Sequence, residues 1–235
     1  MTAPRLAPGH ELLDDAAADP RTVRQSLHHI ARSNRWFGGW WAVRRGLEEL
    51  RRHHGGALPR RLTLLDVGTG SGDLPLQAVR WARRHGTALH PIGLERHRAA
   101  AALAREAGIP AVLGCAGALP LRPGSVDVLL ASQFMHHLAE DEIVRFCQAA
   151  TRVARLGVIV ADLRRSPLAL AGFWLGSRLF GFDAATRHDG LVSVRRGFTA
   201  GELGGLLRRA GLRARVAHSP GFRLVATWTP AMAGA

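Results

Sequence analysis

Three observations predict a doubly wound α/β domain with a mostly parallel seven-stranded sheet, an N-terminal helical extension and an antiparallel C-terminal hairpin. Between residues 62 and 161, short apolar runs alternate with stretches of helical periodicity, as in repeated β-α units. The first run ends in an acid and three glycines, Asp66-Val-Gly-Thr-Gly-Ser-Gly72, and the carboxyl end of a strand is where open α/β sheets take ligands. After residue 161 the rhythm changes to an apolar helical stretch, a last helix and two strand-like runs. A chain of 235 residues fits one domain with an extension. Residues 1–58 are taken as a helical extension and lid, and residues 59–235 as the main domain.

The elements follow in order. Asp19-Pro20 opens a helix, because Asp caps exposed amides and Pro is pre-set for the first helical position; Val23, Leu27, Ile30 and Asn34 share its stripe. Gly38-Gly39 breaks the chain before a second helix with Trp40, Val43, Leu47 and Leu50 on one face. Leu62 to Val67 reads as a buried strand. Helices are then expected at Leu74–His85, Arg98–Ala107 and Glu140–Arg155, with strands at Leu89–Leu94, Ala111–Leu113, Val126–Ala131 and Val158–Ala161. Pro167 to Phe182 is an apolar helix, and Thr199-Ala-Gly-Glu202 has capping-box spacing before a last helix. Arg213–His218 and Phe222–Trp228, joined around Ser219-Pro220-Gly221, form the hairpin.

Composition narrows the function classes. The apolar fraction of 47% and charged fraction of 21% exclude a disordered, collagenous or coiled-coil chain. All 32 basic residues are Arg, and Lys and Tyr are absent. With Arg pairs at 51–52, 83–84 and 208–209 scattered along the chain, the net charge of +14 reads as solvated helix faces, and nucleic acid is not the expected partner. Two cysteines, Cys115 and Cys147, are too few for a disulfide framework or Cys-based zinc cluster and suit a reducing interior. Residues 1–15 lack the apolar core of a secretory signal. The most apolar stretch, 168–182, is interrupted by Arg178 and falls short of the roughly 20 residues of a membrane span, though it suits contact with a lipid-like substrate. A cytoplasmic protein is expected, without a metal, since no His or acid set has convincing ligand spacing. No pattern specifies an oligomeric state.

The glycine loop carries the most information. Glycine admits positive φ and lets a ligand press on bare backbone. A dinucleotide loop needs G-x-G-x-x-G, whereas this loop is G-x-G-x-G after Asp66; a purely structural turn is the alternative. The acid-plus-glycine pattern resembles the first motif of class I S-adenosylmethionine-dependent methyltransferases, whose Rossmann-like domain the chain is similar to from about Leu62 to Trp228. The resemblance implies S-adenosylmethionine as cofactor, with Asp66 anchoring the methionine ammonium and Gly68, Thr69, Gly70 and Gly72 forming the cradle. Glu95 lies 23 positions after Gly72, near the roughly 20 expected of a ribose-binding acid, and Arg96 falls beside the adenine by resemblance. Gly114-Cys115-Ala116-Gly117-Ala118-Leu119-Pro120 resembles the family's Gly-Asp-Ala-x-x-Leu-Pro segment. Cys115 replaces the acid and is read as a buried, inert thiol lining the pocket beside Ala116.

The acceptor side is read from Ser132-Gln-Phe-Met-His136-His137-Leu138, which resembles the family's segment after the fourth strand. Ser132 is assigned to the cofactor pocket, and His136 and His137 are candidate general bases, or else a packing or capping pair. Adjacent residues on a helix point about 100° apart, so only one is expected to face the pocket. His188, next to Asp189, is a third candidate base or part of an ordinary surface loop. Asp162 and Arg164 end the fifth strand, and His28 to Phe37 either close over the cofactor or pack Trp36 and Phe37 into the core. The segment lacks the Asn- or Asp-Pro-Pro of amino-methylating nucleic-acid enzymes and a nucleophilic Cys by Pro. Small-molecule acceptors are thereby favoured. The Ser132-x-x-x-His136-His137 pattern, Leu119-Pro120, the apolar segment 168–182 and the runs Ile30–Gly39 and His188–Ser193 resemble quinone-biosynthesis and type III polyketide-associated methyltransferases, which implies an apolar phenolic, quinone-like or polyketide acceptor, with oxygen preferred over carbon. An RNA or protein methyltransferase, or a non-catalytic S-adenosylmethionine-binding protein, are the alternatives.

Overall fold

The computed structural model describes residues 5–7, 15, 17–119 and 121–230. Pro120, and most of the N-terminal stretch read for a secretory signal, lie outside the described residues. In chain order the elements are α1 (Pro20–Trp36), α2 (Gly39–His53), β1 (Arg61–Val67), α3 (Asp73–Arg84), β2 (Ala88–Glu95), α4 (Arg98–Glu106), β3 (Ala111–Leu113), β4 (Val126–Ser132), α5 (Glu140–Val153) and β5 (Ala154–Leu163). Then follow α6 (Pro167–Leu179), α7 (Ala184–Arg196), α8 (Ala200–Arg209), β6 (Arg215–Ser219) and β7 (Arg223–Trp228).

The strands form one sheet in the order β3-β2-β1-β4-β5-β7-β6, in which β7 alone runs against its neighbours β5 and β6. Side chains alternate between its two faces as the two-residue strand period requires. Leu64, Val128, Leu130, Ile159 and Val225 join Val43, Leu47 and Leu50 of α2 and Ala78 and Trp81 of α3 in one core. Leu65, Leu129, Val158, Val160 and Trp228 join Ile143 and Phe146 of α5 and Leu203 and Leu207 of α8 in the other. Helix α2 approaches the sheet at Gly46, where a Cβ would stand 2.4 Å from Ile159 Cγ2.

Local signals behave as their chemistry requires. Asp19 caps α1 by accepting the Thr22 amide at 2.9 Å, and Thr199 and Glu202 close a reciprocal capping box on α8. Two expectations are corrected. α5 stops at Val153 because β5 is longer than its apolar run, pairing from Ala154 with β4 on one side and reaching Leu163 opposite Arg223 on the other. Residues 186–190, read as a possible surface loop, lie within α7, which Asp183 caps by accepting the Thr186 amide at 2.8 Å. Among the described residues, no helix is long and apolar enough to cross a membrane.

Candidate functional site

A cavity of about 620 Å³ opens at the carboxyl ends of β1, β2, β4 and β5, beneath α1 and beside α6 and α7. Strand order reverses between β1 and β4, which is the switch point where ligands enter such sheets. Asp66, Gly68, Thr69, Gly70, Glu95, Arg96, Cys115, Ala116 and Ser132 all line it. Gly68 and Gly70 have φ of +71° and +55°, a region costly for other residues. Gly72, assigned to the cradle, does not line the cavity. It caps α3 at φ +77°, and its Cβ would meet Ile109 at 2.9 Å, so it serves the close packing of loop and helix.

Asp66 is buried and accepts the Thr69 hydroxyl at 2.8 Å. Burial pushes its carboxyl up to about 7; the Thr69 bond opposes this, and the nearby Asp73 and Glu95 charges add to it. Burial also raises Asp73, against the amide of Asn34 that donates to it at 3.1 Å. Neither acid has an arginine or histidine partner among the described residues. Among the described residues the loop's two acids thus lack a direct ion-pair partner, although Arg96 and Arg223 line the same cavity. Glu95 is already engaged: its two oxygens accept the Gly70 amide at 3.0 Å and the His97 amide at 2.9 Å. A carboxylate has about four lone-pair sites, so further acceptor capacity remains. Cys115 is exposed at the cavity wall, which corrects the expectation of a buried thiol. It follows the short strand β3, which is the edge of the sheet. The buried Ser132 hydroxyl has no hydrogen-bond partner.

The other half of the cavity is aromatic, with Phe37, Phe173, Phe182 and Phe222 in its wall. His136 is buried there, and its Nδ1 lies 2.7 Å from Asp162 Oδ1. Burial alone would raise Asp162, but the charge and hydrogen bond of His136, with the Leu163 amide and His137, hold it below the ordinary carboxylate value. A carboxylate on Nδ1 fixes Nδ1–H and leaves Nε2 as the acceptor nitrogen of the neutral ring. Both histidines line the cavity, with ring centroids 4.2 Å apart. That overturns the one-or-the-other expectation: Met135–His137 is a tight 3-10 turn rather than the start of an α-helix. His188 is exposed on α7 and does not line the cavity, whereas Asp189 does.

Residues 65–161 match the sequence profile of a methyltransferase domain family. Residues 65–161 thus form a methyltransferase-domain segment within a sheet of the class I fold. An uncharacterized methyltransferase of Mycolicibacterium gilvum (strain PYR-GCK) is 32% identical over 147 residues, 60% of this chain and 55% of the relative, so the chain spans about half that relative's length. Among solved structures, human N-acetylserotonin methyltransferase in complex with its S-adenosylmethionine superposes with a TM-score of 0.64 at 13% identity, covering 94% of this chain and 59% of that one. A SAM-dependent methyltransferase from Aquifex aeolicus gives 0.58 at 17% identity, covering 89% and 97%. At these identities the structures attest the fold.

The cofactor of this class, S-adenosylmethionine, carries a cationic sulfonium and a cationic ammonium, and the methyltransferase domain's residues fit it. A buried acid pushed up to about 7, with no cation paired to it among the described residues, is stabilised by a positively charged guest, while a pyrophosphate would be repelled. Asn34, His29 and Gln133 lie in the sequence's candidate segments, which do not show the partners that hold them. Asn34 accepts the Gln133 side-chain amide while donating to Asp73, and Arg223 donates to Gln133 at 3.2 Å. Gln133 itself sits at φ +52°, an uncommon backbone for a residue with a side chain. His29 is buried in the wall between Thr186 Oγ1 at 3.1 Å and Asp183 Oδ2 at 3.2 Å, stacked on Phe182. Only the neighbouring acid and helix cap at Asp183 could have signalled this last contact.

Proposed function

We propose that this methyltransferase domain transfers the methyl group of S-adenosylmethionine to the oxygen of an apolar phenolic or quinone-like small molecule. The observation that carries this reading is the buried His136–Asp162 pair at the aromatic end of the cavity. When bound, the cofactor supplies an activated methyl group. Asp66 meets its positive charge, Gly68, Thr69 and Gly70 offer backbone, and Glu95 meets the ribose. Arg96, Cys115, Ala116 and Ser132 line the remaining wall.

At the acceptor, Asp162 holds the imidazole by Nδ1–H so that Nε2 takes the hydroxyl proton. Arg223, buried and lowered to about 10 by desolvation against the opposing charge of Asp162, favours the anionic oxygen left behind. The phenylalanines exclude water and orient a flat ring, which is the positioning that displacement chemistry needs. Helix α1, within the 1–58 extension, closes the cavity through Leu27, Ile30 and Asn34. Two free cysteines suit a reducing cytoplasm.

The test pairs binding with turnover on a panel of phenols and hydroquinones. His136→Ala is expected to lower kcat by about 10² to 10⁴ with affinity for S-adenosylhomocysteine unchanged, while His188→Ala retains kcat. Glu95→Ala is expected to weaken cofactor binding without unfolding. Turnover on RNA or protein but on no small phenol would replace the acceptor assignment, and cofactor binding with no turnover on any of them would favour a non-catalytic binding protein.

A further inference from the structure

Helix α6 wears its apolar side outward. It buries the small residues Ala169, Gly176 and Ser177 and exposes Leu168, Trp174, Leu175 and Leu179, the last at 76%. Trp36 at the end of α1, 56% exposed, extends this surface by stacking on Phe180 at 6.2 Å. Isolated surface leucines need no explanation, but a contiguous patch of this kind marks an interaction site.

Its charges are of one sign. Arg178 lies over the Trp174 ring at 3.9 Å, Arg35 over Trp36 at 5.5 Å, and Arg32 donates to the Phe180 carbonyl at 3.0 Å. Neither α1 nor α6 contains an Asp or Glu. We propose that this face docks on an anionic lipid bilayer. Leucines entering the acyl boundary, tryptophans at headgroup depth and arginines against lipid phosphates are the groups an interfacial helix presents. A second copy fits less well, because a two-fold contact would set the same arginines against one another without an acid.

The patch also continues inward. Phe180 touches Phe37 at 5.4 Å and Phe37 faces Phe173 at 6.3 Å, and these two line the cavity. Docking therefore sets the aromatic half of the cavity against the membrane, so that an acceptor dissolved in lipid reaches it without crossing water. Docking itself does not depend on the methyl-transfer reading; only this delivery does.

The test is co-flotation of the full chain with phosphatidylcholine vesicles, with and without phosphatidylglycerol. The protein is expected to float with the anionic vesicles and to lose about tenfold or more in partitioning as Leu175→Glu/Leu179→Glu. Arg83→Gln/Arg84→Gln, which removes equal charge elsewhere, is expected to float as the parent does. Retained S-adenosylhomocysteine binding shows the glutamate variant folded; should it not fold, Arg35→Gln/Arg178→Gln replaces it, with the same loss expected. Absence of flotation, or equal flotation of the patch variants, overturns the proposal. So does a dimer dispersed by the patch substitutions without vesicle binding. Flotation without S-adenosylhomocysteine binding would uphold docking and count against the methyltransferase reading instead.

Discussion

Asp66 and Asp162 are both buried at strand ends, but their neighbours give burial opposite signs. Asp66, with no cation paired to it among the described residues, is pushed up to about 7 from 3.8. A raised carboxyl binds its proton more tightly in the folded state, so its stabilising contribution is full below about pH 4 and is lost as pH rises through 7. Cofactor-free Asp66→Asn is therefore expected to exceed the parent in stability at pH 8 by about 2 to 4 kcal/mol in urea unfolding, and to lose cofactor affinity. In the parent, affinity for S-adenosylhomocysteine should climb as pH rises toward 7, because the ionised acid meets the ligand's ammonium. Asp162 is held below its ordinary value once His136 and its amide partners outweigh burial. Its contribution is present at neutral pH and is lost as pH falls through the carboxylate range. Asp162→Asn should cost about 3 to 5 kcal/mol at pH 7, with a smaller difference in acid, and should lower kcat. The cysteines also differ. Burial drives Cys147 up to about 12, whereas Cys115 is exposed on the cavity wall. A maleimide is expected to label Cys115 alone and S-adenosylhomocysteine to slow that labelling, as read by mass spectrometry.

Among the elements, α2 depends on a missing side chain. Gly46 lets the helix lie against Ile159, and an added methyl there overpacks a core of fixed rotamers. Gly46→Ala is expected to lower stability by about 1 to 3 kcal/mol in thermal melts, with partial rescue by Ile159→Val. Elements with a clear period and chemical punctuation were legible in the sequence: α1 has Asp19-Pro20, α8 its capping box, and β1 an apolar run into glycines. α7 was not. Its buried residues are Thr186, Val194 and Arg196, too sparse and polar to draw an apolar stripe, and Gly190 in its middle reads as a break. That glycine instead gives room to Phe173, whose ring a Cβ would meet at 2.1 Å. The apolar character of α6 was visible, but its direction was not, because hydropathy does not say which side of a helix meets its neighbours.

Across the whole molecule, the cofactor half of the site was readable because its groups are consecutive in the chain. The hydrogen-bonded line from Arg223 through Gln133 and Asn34 to Asp73 was hidden, since its members come from β7, the end of β4, α1 and α3. No local pattern marks such contacts. Through this line the covering helix is fastened to the glycine-loop helix, so Asn34→Ala is expected to speed cofactor release several-fold, seen by stopped flow, with faster amide exchange confined to α1. The same non-local character governs how the protein is made. β7 lies between β5 and β6, so a chain emerging from the ribosome holds its glycine loop and five parallel strands while the far side of β5 is still bare. Nearly every residue of β5 is buried in the finished sheet, and an unpaired apolar edge invites pairing with other chains. Translation of the final hairpin is the interval in which this protein most needs a chaperone.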